Sequence, residues 1–418
     1  MSMTSRATIA RVILALVILA LAPETASAKG QKELVLWHAY RAKERSALEV
    51  TITRWNEGGR GKNPRIRLLA VPFDAFADKI TAAIPRGHGP DLFIFAHDRV
   101  GDWAESKVVE PIEFWMTEKH ADRFLFKSID ALCYGDSLFG LPMAFKSTVL
   151  FYNKDLVPNP PKTTDELLAI GKKLTDRKQG RFGLVYDNTK LYFHSPWLFG
   201  FGGAIFDKDG KTLRINTPQA AAALRFAQLL GGKEGIVPPE SSATLTVSLF
   251  NNGKAAMAIS GPWMIGELSS KLKVGVIPLP VVSSTKKRAG PFLGVEGVMM
   301  SAKSKMKPAA FAAMKFLTND KMALIRALSA RQPVANVAVW KKKRVRNDLT
   351  LAAFRKQFDW AAPLAGIPRM RVVWSPYDMA LQKVVGRNGD PKAALAEAAK
   401  EIARFIAARK RSSKKTKK

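Results

Sequence analysis

The chain has a single cysteine, Cys133, so no intrachain disulfide can brace it and no paired-cysteine motif exists. A lone cysteine with apolar neighbours reads as a core residue, and no His/Asn signature frames it as a nucleophile. Histidine is scarce too: five residues, scattered, with no H-E-x-x-H. There is no G-x-S-x-G either, so the common signatures of metal and serine hydrolysis are missing. A secreted glycosidase needs two carboxylates flanking one bond, which isolated acids in a sequence neither establish nor exclude. Acids are also few: 35 Asp and Glu stand against 67 Lys and Arg, leaving a formal charge of +32. A field of that sign favours anionic partners such as nucleic acid, anionic lipid or an acidic ligand. The basic residues are spread along the whole chain, however, as on an ordinary solvated cationic surface.

Long apolar runs are confined to the amino terminus. Val12 to Ala22 is about half the roughly 20 residues that a membrane-spanning helix needs. With Arg6 and Arg11 before it and Ala26-Ser27-Ala28 after it, residues 1–28 read as a Sec-type signal peptide. The mature chain then starts at Lys29, in the periplasm, and with no cysteine after the cleavage site it carries no lipid anchor there. What remains is an ordinary globular composition, 47% hydrophobic and 24% charged, in a chain of 418 residues long enough for two domains with separate cores.

The stretch that organises the chain is Gly89–Trp103, GPDLFIFAHDRVGDW. Leu92 to Ala96 is the unbroken apolar run of a strand buried on both faces. Polarity then reverses at His97, Asp98 and Arg99, and Asp98 is placed to cap a following helix that carries Val100, Trp103 and Ala104. Ligands of open α/β sheets sit beyond the carboxyl ends of such strands. Asp98 offers acceptors and Arg99 donors for the hydroxyls of a polar ligand; equally, Asp98 could only cap and Arg99 only pair with a surface acid.

Around this stretch the order is strand, helix, strand, helix, strand. Glu33–Tyr40 is the first strand, followed by a helix through Leu48, Ile52 and Trp55. Ile66–Pro72 is the second strand, and Asp74–Ile84 a helix that Asp74 caps. This is the βαβ signature of a parallel sheet. The Glu57–Lys62 loop is no Walker motif, since Asn63 follows Lys62 and no strand feeds it. Further on come a strand over Thr148–Tyr152, a helix starting at Thr163–Glu166 and a hairpin over Phe206–Leu213 built on Asp209-Gly210. That hairpin lacks the remaining ligands of a calcium loop. Ala220–Leu230 and Pro391–Ala408 read as helices. The last ten residues, 409–418, are a basic tail that reads as disordered.

Four segments carry a resemblance: GPDLFIFAHDRVGDWAESKVVEPI, GLPMAFKSTVLFYNKDLVPNPPKT, FNNGKAAMAISGPW and GIPRMRVVWSPY. In this order they resemble the periplasmic maltose/maltodextrin-binding proteins of the extracellular solute-binding family, components of ABC importers. The resemblance runs from about Glu33 to about Ile406. It implies a two-lobe α/β fold, each lobe a mostly parallel sheet flanked by helices, joined by a multi-segment hinge. One lobe would hold 29–145 and 297–343, the other 146–296 and 344–408. The crossings would lie near Phe145–Val149, Phe292–Gly297 and Val339–Thr350.

Aromatic residues cluster near the strand ends and loops, where a flat apolar face can match the C–H face of a pyranose. Carried over residue by residue, the resemblance implies a sugar site of Phe95, Asp98, Arg99, Tyr192, Trp263 and Trp374. Trp37, Tyr40 and Arg41 belong to a WHAYR opening familiar among maltodextrin-binding relatives. Two positions depart from the pattern, because Lys146 and Lys190 stand where maltose-binding protein has glutamates. With Arg99 they would favour an acidic sugar or a sugar phosphate, unless both merely follow the basic drift of the chain and face away from ligand. The function implied is capture of maltose, maltodextrin or a related saccharide by a monomer that hands it to an inner-membrane ABC permease. No cofactor, metal, catalysis or specific nucleic-acid partner is expected.

Overall fold

A computed structural model describes residues 33–59, 63–207, 210–232, 235–239 and 241–415. Residues 1–28, expected to be a signal peptide, and Asp209 of the expected hairpin lie outside the described residues. Two sheets form the frame. The first is six-stranded and opens with β1 (Glu33–His38), β2 (Arg65–Ala70) and β3 (Leu92–Ala96), in parallel with β1 central. As the unbroken apolar run requires, β3 is covered on both faces: Phe93 and Phe95 join one core cluster, Leu92 and Ile94 another. After a two-residue-strand hairpin, β4 (Cys133–Tyr134) with β5 (Ser137–Leu138), come β6 (Gly140–Lys146) and then β7 (Val149–Asn153). The second sheet is four-stranded, in the order β10 (Val274–Ile277), β7, β9 (Ala255–Ser260) and β8 (Phe182–Val185).

The long strand β11 (Phe292–Met300) returns to the first sheet. It runs antiparallel to β3 over Glu296–Met300 and to β6 over Gly294–Met299, and pairs at its start with β12 (Ala362–Pro363). The whole strand therefore belongs with the first sheet, which it joins at Phe292 rather than at Gly297. The step between sheets after β6 is made at Ser147-Thr148, both fully buried. A continuous apolar layer bridges the step: Phe145 lies 4.6 Å from Phe358, and Phe151 lies 6.4 Å from Phe354, between ring centroids. Both partners sit on the helix Leu349–Trp360.

Local signals explain most helices. In Ala42–Gly58 the buried side chains include Leu48, Ile52 and Trp55, one stripe at helical spacing. Thr163 caps Thr164–Leu174 by accepting from the Glu166 amide, and the Glu166 carboxylate reaches back to the Lys162 amide. Two expected caps are absent. Phe73–Ala83 begins after Pro72, with Asp74 inside its first turn, and Asp98 belongs to a 3₁₀ turn (His97–Arg99) before Val100–Glu105. The hairpin over 206–213 is present as a Phe206–Leu213 bridge, with Gly210 at φ +68°. Cys133 is exposed rather than core, because its two-residue strand lies on the surface. The last helix, Pro391–Lys415, runs past Arg409, so the backbone of the expected tail is helical as far as Lys415. Among the described residues no helix is long and apolar enough to cross a membrane.

Candidate ligand-binding site

β1 and β3 run parallel, so the residues that follow them lie at one end of the first sheet and form one wall. After β3 comes His97, which is buried and held by two backbone groups. Its Nδ1 accepts from the Val295 amide at 3.0 Å, and its Nε2 donates to the Leu364 carbonyl at 2.7 Å. One acceptor and one donor fix the neutral tautomer, and burial lowers the pKa in the same sense. The clip holds Asp98 and Arg99 at the strand end, 3.6 Å apart. Burial raises the Asp98 pKa above the usual carboxylate value, with Arg99 pulling against it.

The facing wall is aromatic and comes from the second lobe. Tyr192 and Phe193 begin the helix Leu191–Gly200, Trp263 lies in the 3₁₀ turn Pro262–Glu267 after β9, and Trp374 begins Trp374–Leu381. Ring centroids are 6.1 Å apart for Tyr192–Trp263, 6.4 Å for Tyr192–Phe292 and 5.8 Å for Phe292–Trp374. Tyr192, Trp263 and Trp374 are each partly open. Gly261 is needed here, because a Cβ at that position would lie 2.2 Å from the Trp263 ring. Burial holds the Tyr192 hydroxyl protonated, and the carboxylates of Glu296 and Asp98 act in the same sense, so both lie within electrostatic reach of this wall.

The structure thus brings Asp98, Arg99, Tyr192, Trp263 and Trp374 together, but it turns three other expected residues inward. Trp37 is 6% exposed, with the Lys79 ammonium 5.3 Å over its ring, and Tyr40 is likewise 6% exposed. Phe95 stacks on Phe76 at 4.6 Å inside the core. Because β3 is buried on both faces, its alternation could not say which face Phe95 takes. The sequence reading also missed Phe73, just after β2, which is 59% exposed and stacks on the outer side of Phe95 at 4.9 Å. Its signal was an aromatic near the carboxyl end of a strand, where Trp37, Tyr40 and Phe95 also drew attention.

The two lysines are both occupied. Lys146 Nζ is buried between two carboxylates, bonded to Glu44 Oε1 and 3.3 Å from Glu296 Oε2, and it sits 5.5 Å over the Tyr40 ring. Gln332 donates to Glu44 at 3.4 Å and accepts from Arg326 Nε at 3.0 Å, which extends the network. Burial opposes the Lys146 charge, but Glu296 and Glu44 outweigh it and the pKa rises. Burial pushes Glu296 up to about 7 although Lys146 pulls it down. Lys190 lies 3.2 Å from Asp378, whose other oxygen accepts the Leu191 amide at 2.7 Å. Lys146 is thus buried and doubly paired, while Lys190 is half exposed and paired once.

Arg41 spans the lobes to Glu267 at 3.3 Å. Beside it Ala42 takes φ +44°, and a Cβ on Gly266 would come within 3.1 Å of the Ala42 Cβ. A second bridge joins Arg409 to Asp102 and, at 3.6 Å, to Glu105. Among the described residues no group of three or more His, Cys, Asp or Glu could hold a metal ion.

Known proteins resemble this chain in sequence and fold. The family described as bacterial extracellular solute-binding protein matches residues 41–323. The maltotriose-binding protein of Pyrococcus abyssi is 28% identical over 376 residues, 88% of this chain and 80% of that protein. The galactooligosaccharide-binding protein of Bacillus subtilis is 29% identical over 393 residues, 90% of each. Among solved structures, the Thermus thermophilus maltotriose-binding protein bound with maltotriose matches with a TM-score of 0.82 at 29% identity, over 89% of this chain and 100% of that one. The maltose/maltodextrin-binding domain MalE from Bdellovibrio bacteriovorus, bound to maltotriose, matches with a TM-score of 0.82 at 25% identity, over 90% and 100%. With the family's match covering residues 41–323, more than half of the chain, and the same two-lobe frame in its neighbours, the chain belongs to the bacterial extracellular solute-binding proteins.

Proposed function

We propose that the protein captures a malto-oligosaccharide or related neutral saccharide between its lobes and delivers it, from the periplasm, to an inner-membrane ABC importer. The observation that carries this reading is the wall of Tyr192, Trp263 and Trp374 set against Asp98 and Arg99. Rings stack on the C–H faces of the sugar, while a carboxylate and a guanidinium meet its hydroxyls from the other lobe. Each ring would bury on the order of 100 Å² against ligand, roughly 2–3 kcal/mol. The relatives named above bind maltotriose or galacto-oligosaccharides by their names, which supports the same class.

Closure needs no chemistry. Ligand stabilises the closed form by its differential affinity for it, acting as a monomeric clamp without cofactor, turnover or nucleic acid. A neutral ligand is favoured over an acidic one because Lys146 and Lys190 are each paired with acids of the chain. Calorimetry with maltose, maltotriose, a galacto-oligosaccharide and a uronate at two ionic strengths tests the reading. Binding of maltotriose that barely responds to salt is the expected result. Tighter binding of the uronate at low salt, or release of glucose from the bound sugar, would overturn it.

A further inference from the structure

Strands β8 and β9 run parallel, so their carboxyl ends share one pole of the second lobe and their amino ends share the other. The carboxyl ends lead into the aromatic cleft at Lys190 and Trp263. At the amino ends, Arg181 and Lys254 border a concavity of 1530 Å³ that also takes in the last turn of Thr164–Leu174 and the end of Pro218–Gly231. Its charge is one-sided. Lys172, Lys173, Lys178, Arg225 and Lys254 all line it, and among the described residues none of the five has an ion-pair partner. Asp176 is the one carboxylate of the lining among the described residues, and it is bound to Arg181 at 3.0 Å. Arg177 is committed elsewhere, donating to the carbonyls of Gly232, Gly235 and Val237.

Five exposed like charges around one hollow raise its positive potential and favour an anion among them. Four of the five are lysines, compact point charges suited to phosphate oxygens. Five cations around one hollow favour a multiply charged ligand over a single phosphate. Exposed Leu156 and Leu229 border the same hollow and can touch the organic part of such a ligand.

We propose that the pole of the second lobe opposite the saccharide cleft is a binding site for phosphate-type polyanions, either phospholipid headgroups or a free oligophosphate. The cleft and this site lie at opposite ends of the same strands, so a polyanion and a sugar bind together without competing.

The test uses the full protein, its charge-reversal variant Lys172→Glu/Arg225→Glu/Lys254→Glu, and a control, Lys305→Glu/Lys321→Glu/Lys341→Glu, with the same net charge on exposed residues of the first lobe. Titration with tripolyphosphate and co-sedimentation with phosphatidylglycerol or phosphatidylcholine vesicles separate the two sources. The site variant should lose tenfold or more in affinity for tripolyphosphate or for phosphatidylglycerol vesicles, whichever the parent binds. The control should stay within about twofold, and both variants should keep the parent's sugar affinity. Should the triple reversal melt early, single neutralisations to Gln, each expected to cost about two- to threefold, make the same comparison. Equal losses in site variant and control would reduce the effect to overall charge and overturn the proposal. So would an unaffected site variant, or a parent that binds neither probe at low salt.

Discussion

Lys146 Nζ lies 3.3 Å from Glu296 Oε2 and is bonded on its other side to Glu44, so one buried ammonium bridges two acidic side chains at the last residue before the chain crosses between sheets. Removing the lysine strands both acids in a dry site, a change that typically costs about 3–5 kcal/mol. Lys146→Met should therefore lower stability by about that amount in denaturant titrations. Adding Glu44→Gln should recover part of the loss, since it removes one of the stranded charges. Loss of sugar affinity with unchanged stability would instead place Lys146 against ligand.

The same cluster sets a pH dependence. Glu296 in the folded protein is pushed up to about 7 from an ordinary 4.5, so the folded state holds a proton that the unfolded state has released. Its contribution is neutral below about 4.5, and it costs stability progressively as pH rises toward 7. His38 acts oppositely, since burial lowers it to about 4 and stability gained there grows as pH rises toward 6.5. The two overlap, so the parent's profile alone separates neither. Comparing it with Glu296→Gln does: the variant should gain, relative to the parent, on the order of 2 kcal/mol between pH 4.5 and 7. Parallel profiles would show that Glu296 ionises as an ordinary carboxylate.

None of this cluster was legible in the sequence. Lys146 meets Glu44 across 102 positions, and only the pairing of β6 with β11 brings Glu296 alongside. Frame and wall were legible for different reasons. The run Leu92–Ala96 and the Thr163 cap are local patterns whose physics does not depend on distant residues. Trp263 and Trp374 came from the resemblance, and the structure places them on one wall. The inward turn of Trp37, Tyr40 and Phe95 has a shared cause. An aromatic at a strand end can cap a core or face a ligand, and the choice is made by what packs over it.

That choice separates the aromatics by experiment. Trp263 and Trp374 are partly open, whereas Phe292, between Tyr192 and Trp374, is 2% exposed. Trp263→Ala or Trp374→Ala should weaken maltotriose binding about tenfold to a hundredfold and leave the melting temperature of the free protein nearly unchanged. Phe292→Ala should cost about 3–5 kcal/mol of stability as a core truncation. Interchanged outcomes would assign the platform to Phe292.

Phe73 and Phe95 form a second such pair, one face of the stack open and the other in the core. Phe73→Ala should leave stability within about 1 kcal/mol and reduce affinity for the longer saccharides, with maltose affected least. Phe95→Ala should instead cost about 3–5 kcal/mol. A saccharide series by calorimetry, beside thermal melts, reads both. Unchanged affinity for every chain length in Phe73→Ala would remove it from the site.

The lobes meet where Gly266 faces Ala42, and this contact tests closure most directly. A Cβ at Gly266 would lie 3.1 Å from the Ala42 Cβ and 3.2 Å from the Lys43 amide nitrogen. A β-branched side chain there has no room unless the lobes separate, so Gly266→Val should bias the protein toward an open form. Affinity for maltotriose should fall about tenfold or more, because part of the binding free energy is then spent on forcing closure. Small-angle scattering with saturating sugar should give a larger radius of gyration for the variant than for the parent. The neighbouring Arg41–Glu267 pair is exposed on the arginine side, and pairs of that kind contribute about 0–1 kcal/mol. Arg41→Ala should thus weaken binding by no more than about fivefold and leave the scattering curve of the saturated protein unchanged. If Gly266→Val binds and scatters like the parent, the Ala42–Gly266 contact forms no part of the closed state. If Arg41→Ala abolishes binding, the guanidinium holds the sugar itself rather than the opposite lobe.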